Sequence, residues 1–408
     1  MTVLFFEDPY YRNFEPLSIS HPVYTLLCGT SKIYQKWLIA LELDDYGFLA
    51  RSYLADVLNL ETGRPVNAIP ADDFIVLNGR FPPSPQLISQ LDELGGNEAL
   101  VSGDLLLAYR GNADTDGATR EAIRNLHSTD GHEKLLKASK IKSIESEYLE
   151  YIWDLVRING RMIAEELSRF EKVLRKRELD SGNNSIINPE NAVIGESAAV
   201  GPSAVIDASE GPVIIEGNTK IEPFSFIQGP CYIGPECRIV GGKIRPGSSL
   251  GPVCRVGGEV EESIMLGYCN KYHEGFLGHA YLGEWVNLGA LTANSDLKNN
   301  YKEISVEIGG KSVNSGSVKV GCFIGDHTKT GIGTMLNTGI NIGFSCNLYG
   351  AGLFNDKIIP SFSWGTPGNL GKYKLEKAVE TAAISMNRRG IEFTTVHNKL
   401  FEEIDGIS

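Results

Sequence analysis

Crosslinks and metal clusters have little to draw on in this chain. Its seven cysteines (28, 231, 237, 254, 269, 322, 346) are odd in number and form no CxxC pair. A disulfide framework and a zinc ribbon are thereby excluded, and free thiols in a reducing compartment, the cytoplasm, are expected. Long apolar runs are also missing: none approaches the roughly 18 residues of a membrane helix, and no N-terminal stretch reads as a signal peptide. Positive charge is scarce, with 38 Lys and Arg against 51 Asp and Glu and a net charge of −13. Such a chain is a poor match for a phosphate backbone, so nucleic acid is not an expected partner. Glycine is abundant, at 45 residues; that is about 11% against a usual 7%, and it is crowded into the second half.

The 408 residues, 42% apolar and 22% charged, suffice for two or three domains with a sizeable core. Residues 1–140 alternate apolar runs with helical patterns. Thr2–Phe6 and Phe74–Leu77 read as buried strands, Lys32–Leu43 and Pro85–Leu94 as helices, and Glu98–Tyr109 as a strand pair. This is an α/β domain. Across 141–184 the spacing changes to threes and fours, through Tyr148, Ile152, Leu155, Ile158, Met162, Leu167, Phe170 and Leu174. One or two long helices from about Ser143 to Lys176 are expected, closed by the polar linker Ser181-Gly182-Asn183-Asn184. They would join a separable α/β unit to the second half of the chain.

Residues 185–355 repeat with period six. Ile194, Val200 and Ile206 are six apart; after three extra residues Ile215, Ile221, Ile227, Ile233 and Ile239 continue. Leu250 and Val256, Leu282 and Leu288, then Val318, Ile324, Thr330, Leu336, Ile342 and Leu348 keep the spacing, often with Gly next. Period six suits neither a helix nor an ordinary strand. It marks a left-handed parallel β-helix, each unit forming one side of a triangular coil with its aliphatic residue pointing inward. Gly and small residues are expected at the corners, where bulk would strain the backbone. At roughly 18 residues per coil the repeats make about seven coils. The irregular 290–317, with Asn294, Ser295, Asp296, Lys298, Asn299, Asn300 and Tyr301, reads as an external loop reaching towards a neighbouring protomer. Residues 356–408, with a helical run over Tyr373–Arg389, read as a tail capping the open end of the solenoid.

Chemistry on a flat-sided solenoid must come from unusual polar residues, and His273 and His279 stand out in the run from Lys271 to Gly283. A histidine beside a coil groove can take a proton from an amine or hydroxyl as it attacks a thioester, because its pKa lies near working pH. Three motifs then become specific: Arg245-Pro246-Gly247, Lys271-Tyr272-His273-Glu274-Gly275-Phe276-Leu277-Gly278, and Val286-Asn287-Leu288-Gly289-Ala290-Leu291-Thr292. They resemble the acetyltransferase half of the GlmU family, bifunctional glucosamine-1-phosphate N-acetyltransferases and N-acetylglucosamine-1-phosphate uridylyltransferases. The Glu7-Asp8 and Arg12-Asn13-Phe14 opening resembles a divergent branch of it. The resemblance implies His273 as general base towards the sugar amine, Arg245 and Lys271 on the sugar phosphate, and Asn287 and Asn294 orienting sugar or coenzyme. Phe276 stands where the family has Tyr. Acetyl-CoA would be the donor, bound between the solenoids of a homotrimer, in UDP-N-acetylglucosamine synthesis.

The same resemblance implies a Rossmann-like nucleotidyltransferase in the first half. Such an enzyme needs a Gly-rich loop after its first strand to wrap nucleotide phosphates. Here Phe5-Phe6-Glu7-Asp8 runs into Pro9-Tyr10-Tyr11-Arg12 instead, so the half is expected to be degenerate. Arg12, Lys36 and Asp104 are its nucleotide-binding candidates, with Mg²⁺ only if that half is active. No metal is expected in the solenoid. Two other readings stay open: a non-catalytic solenoid that binds sugar nucleotide or oligomerises, and a metalloenzyme of the γ-carbonic anhydrase type. The second would need His273, His279 and His327, whose spacings of 6 and 48 do not supply a close ligand pair.

Overall fold

The computed structural model of the chain describes residues 1–173, 185–350 and 352–407; Leu174, Lys176 and the linker at 181–184 lie outside the described residues. Five apolar or β-branched residues, Thr2–Phe6, form an inner strand of a six-stranded sheet. Its order is Tyr46–Phe48, Thr2–Phe6, Phe74–Asn78, Leu105–Gly111, Glu98–Ser102, Lys140–Ser143. The first three strands run parallel and the fourth turns antiparallel. Alternate side chains leave the sheet on opposite sides. Val3 and Phe5 pack with the helices Ile33–Ala40, Ser52–Thr62 and Pro85–Asp92, whereas Leu4 and Phe6 pack with Gly117–Arg124 and Thr129–Ala138. The domain is thus α/β with helices on both faces. The bridge differs from expectation: Lys140–Ser143 is an edge strand, Tyr148 packs on Phe81, and helix begins only at Ile152, running to Glu165 before a second helix at Leu167.

The second half is a three-sided parallel β-solenoid. Its first face stacks nine strands, one per coil, from Ala192–Ile194 to Ile358–Ile359. Nine coils replace the expected seven because some coils are shorter than 18 residues and strands continue to Lys372. The period-six aliphatics fill one core, with Ile194, Ile206, Ile215, Ile221, Ile227, Ile233, Ile239 and their successors buried. Val318 is the exception: it lies on the insertion and is exposed. The cysteines are all free and buried.

Corners depart from the expected small residues. Phe224, Glu262, Tyr268, His279, Trp285, Leu291, His327 and Phe362 all hold positive φ. Left-handed backbone costs an L-residue of order 1–3 kcal/mol. Here the side chain at such a corner points away from the prism, and on one edge it stacks on the next coil, as Tyr268 does on Trp285 (4.2 Å, 13°).

The two halves are not separate bodies. Outward residues along the first face form a row in register: Val193, Ile214, Tyr232, Ser249, Ile264, Tyr281, Phe323, Asn341 and Ile358. Ile163 and Phe170 cover its start, and Phe14, Leu17, Val23 and Ile152 share a core with Ile264, Tyr281 and Phe323. The insertion, whose strands Ser305–Ile308 and Lys311–Asn314 form a hairpin, folds onto this same face through Ile304 and Val306 rather than reaching away. The tail does not sit over the open end either. An antiparallel strand, Asn369–Lys372, closes one edge there, while helices Leu375–Asn387 and Thr395–Ile407 pack on the first domain and on Phe344 and Phe362. No helix among the described residues is long and apolar enough to cross a membrane.

Candidate functional site

Ligands of open α/β sheets bind outside the carboxyl ends of the parallel strands. In this chain that crevice is filled by its own ion pairs. Asp8 follows the first strand, accepts from Asn78 Nδ2 at 2.9 Å and pairs with Arg80 at 2.6 Å, both partners almost fully buried. Glu7 pairs with Arg51 at 2.6 Å; burial pushes its carboxyl up while Arg51 pulls it down. Pro9–Phe14 then turns as a 3₁₀ helix where a phosphate loop would lie. With both strand-end carboxylates held by guanidinium groups, the crevice does not fit a Mg²⁺ ion. Among the described residues no group of three His, Cys, Asp or Glu side chains could hold a metal.

The three nucleotide candidates are scattered. Lys36 is buried and pairs with Glu166 of the bridging helices, so it ties elements together instead of meeting phosphate. Asp104 is exposed in the turn between Glu98–Ser102 and Leu105–Gly111. Arg12 is exposed and lies beside Tyr11, whose hydroxyl accepts from Nε at 3.4 Å. It lines a cavity of about 520 Å³ at the seam with the solenoid, together with Arg51, Tyr53 and Asn341.

On the solenoid, the second-half histidines occupy three different corners. His327 is half-buried among Trp285, Phe344 and Phe401, and the loss of solvent there, reinforced by Lys329, holds its imidazole down to about 3. His279 is clamped between Asp296 (2.8 Å) and Glu262 (3.1 Å). Burial opposes its charge, but the two carboxylates outweigh that and raise it to about 9. An imidazole already protonated at neutral pH cannot accept a proton. His273 is exposed, and among the described residues its side chain meets only the Tyr272 ring, edge-on at 5.3 Å. Within one copy, three histidines so placed cannot share one metal ion of the γ-carbonic anhydrase type.

Two residues assigned to substrate turn inward. Lys271 is 2% exposed, and its Nζ donates to the carbonyls of Gly257 (2.8 Å) and Gly275 (2.7 Å). It ties a Gly-rich corner together, and burial lowers its ammonium to about 8. Asn294 is buried; its Oδ1 accepts from Gly278 N and its Nδ2 donates to Gly278 O, both at 2.9 Å, replacing ladder bonds between coils. Arg245 stays at the surface, 3.7 Å from Glu259. The strand register sets it level with Gly278, across the third face from His273 and two coils away. Phe276 begins the strand that follows His273 on this third face. Asn287 lies on the second face, where its Oδ1 accepts from Asn270 at 2.8 Å, one coil beyond the His273 coil.

Asn287 opens onto a feature that reading by motif missed. Between the second face and helix Leu375–Asn387 runs a cleft of about 320 Å³ holding Lys329, Arg388 and Arg389, with Tyr268 and Trp285 in its wall. Its cations come from segments 60 residues apart in sequence, so no local pattern announces them.

Residues 3–174 match the family described as sugar nucleotidyl transferase. The chain is 34% identical over 154 residues to the bifunctional sugar-1-phosphate nucleotidylyltransferase/acetyltransferase of Sulfurisphaera tokodaii, covering 36% of this chain and 37% of that one. It is 28% identical over 209 residues to the bifunctional protein GlmU of Synechococcus sp. (strain CC9605), covering 45% and 42%. These matches span less than half the length of either relative. Among solved structures, an Arabidopsis UDP-N-acetylglucosamine acyltransferase aligns over 55% of this chain and 88% of that one, at TM-score 0.28 and 15% identity, too low to add to the strand pairing itself. The chain is thus similar, over part of its length and at distant identity, to sugar nucleotidyl transferases and to bifunctional proteins of the GlmU kind.

Proposed function

We propose that the solenoid transfers an acetyl group from acetyl-CoA to the amine of an amino-sugar 1-phosphate, glucosamine 1-phosphate being the substrate the resemblance implies, with UDP-N-acetylglucosamine as the downstream product. The observation that carries this reading is the state of His273: an exposed, uncommitted imidazole on a corner, while His279 is held charged and His327 is walled in. As the neutral amine attacks the thioester carbonyl, a C–N bond forms and His273 accepts the amine proton. Collapse of the tetrahedral intermediate breaks the C–S bond, and the proton passes to the leaving thiolate. Such a base is worth about 10²–10⁴-fold.

Arg245 and His273 lie at opposite edges of one face, so a single prism offers one substrate only one of them. In a trimer that set one edge of each copy against the opposite edge of the next, the active site would be completed between copies. Exposed Leu291, Ile332, Met335 and Leu353, on the coils beyond His273, supply an apolar surface for that contact. The first domain serves in this reading as a scaffold without nucleotidyl transfer.

The test is detection by mass spectrometry of N-acetylated product from glucosamine 1-phosphate and acetyl-CoA, with UTP present and absent. Product independent of UTP, with no pyrophosphate released from UTP and N-acetylglucosamine 1-phosphate, is expected. Absence of acetyl transfer to any amino-sugar phosphate would sink the proposal, and robust pyrophosphate release would overturn the scaffold role.

A further inference from the structure

The cleft between the second face and the tail helix has a chemistry of its own. In a chain with net charge −13, none of its lining side chains is acidic. Lys329 is half-buried and donates to the Trp285 carbonyl at 2.6 Å, and it has no carboxylate within ion-pair distance among the described residues. Arg388 and Arg389 likewise have no ion-pair partner among the described residues, although 22 such pairs occur elsewhere. Burial lowers the Arg389 guanidinium, and the nearby charges of Arg255 and Arg388 depress it further. Uncompensated cations gathered in one recess repel one another, and an anion relieves that repulsion.

The wall adds a second recognition element. Tyr268 ends the stack it makes with Trp285, and its other ring face meets no ring among the described residues. A half-buried aromatic face beside a cation cluster matches a ligand carrying both a planar base and phosphates. Asn270 and Asn287 line the same cleft with amides able to read a base or ribose edge.

We propose that this cleft binds the diphosphate of a nucleotide, with Lys329, Arg388 and Arg389 on the phosphates and Tyr268 stacked on the base. The site is formed within one chain and stands whether or not His273 transfers an acyl group. Two sources share this chemistry, a free nucleotide and the nucleotide end of coenzyme A.

Calorimetry on the full chain, without turnover, separates them using ADP, UDP, coenzyme A and inorganic pyrophosphate as probes. Nucleotide binding that weakens as salt rises is expected, with at least a tenfold loss in the R388Q/R389Q double variant. Both arginines lie at the end of a surface helix, so the variant should keep the wild-type circular dichroism spectrum. Tyr268→Ala should weaken the nucleotides several-fold while leaving pyrophosphate unchanged. Binding of coenzyme A with ADP and UDP silent assigns the coenzyme; binding of ADP or UDP assigns a free nucleotide. No binding by any probe below millimolar concentration, or wild-type affinity in the R388Q/R389Q variant, would overturn the proposal. An acyl-transfer assay that fails while the cleft still binds nucleotide would count against the role of His273 alone.

Discussion

Replacing His327 by Phe should make the protein more resistant to mild acid. The residue is half-buried, its neighbours are the rings of Trp285 (6.2 Å), Phe344 (5.7 Å) and Phe401 (5.1 Å), and its Nδ1 is shut off from solvent with no hydrogen-bond partner. Burial first, and then the charge of Lys329, holds its pKa at about 3. In the unfolded chain the same group titrates near 6.5. Its folded pKa being the lower, the unfolded state takes up a proton that the folded state refuses everywhere between those values. Stability is therefore complete above pH 6.5 and lost as pH falls, at about 1.36 kcal/mol per unit, or about 2.7 kcal/mol by pH 4.5. Phe has a similar volume, keeps the ring contacts and carries no proton. Carboxylates act in both proteins alike, Asp296 and Asp326 being held below their usual range and Glu7 and Glu15 raised, so the difference between the two proteins from pH 6.5 to 4.5 isolates His327. His127, His132 and His397 are also held down and tilt both proteins alike. Urea midpoints followed by circular dichroism at pH 7, 5.5 and 4.5 give the difference directly. Wild type and H327F declining in parallel would refute the argument.

Three further outcomes are expected. His273→Ala should lower kcat by about 10²–10⁴-fold with an unchanged melting temperature, whereas His279→Ala should lower the melting temperature by stranding Asp296 and Glu262 and cost far less activity; the reverse ranking in paired kinetic and thermal assays would move the base to His279. Arg80→Met should destabilise by about 3–5 kcal/mol in denaturant titration, because Asp8 is left charged and buried, and adding Asp8→Asn should recover much of that loss; equal stability of both variants would show that the pair carries no buried charge. A fragment spanning 185–408 should come out insoluble or aggregated, since Ile264, Tyr281 and Phe323 lose their cover; a soluble fragment of defined mass on size exclusion would show that the solenoid is self-sufficient.

What the sequence discloses depends on whether a constraint is local. One inward aliphatic per side fixes the period of six, so Ile215 to Ile239 announce the solenoid without help from the rest of the chain. The missing phosphate loop was equally legible, because it must follow the first strand within a few residues. Lys271 and Asn294 misled for a related reason: their motif positions suit a substrate, yet nothing local says whether a corner side chain turns out to solvent or in to bridge carbonyls. The shared core left a faint trace. On the first face Ile264, Tyr281 and Phe323 are apolar in register with Ile214 and Tyr232, although they alternate with the inward row of Met265, Leu282 and Ile324. A strand apolar on both sides must be covered on both, but by which segment is not encoded nearby. The cleft at Lys329 was invisible for want of any sequence proximity.

Asn159 shows what this joining means for the history of such a chain. Fully buried, it accepts from Gly29 N at 2.6 Å and donates to Gly247 O (2.8 Å) and Ser249 Oγ (2.9 Å), while Ser249 Oγ donates back to Gly29 O at 2.7 Å. One side chain therefore holds first domain, bridging helix and solenoid at a single point. A domain attached by a tether can be shed once its reaction no longer matters. A domain whose surface has become another's lining cannot, because discarding it strips buried backbone groups of their partners and leaves an apolar face wet. In the scaffold reading proposed above, catalysis and retention are uncoupled: the first half is kept by the solubility of the second, whatever becomes of the crevice that holds the Asp8–Arg80 pair.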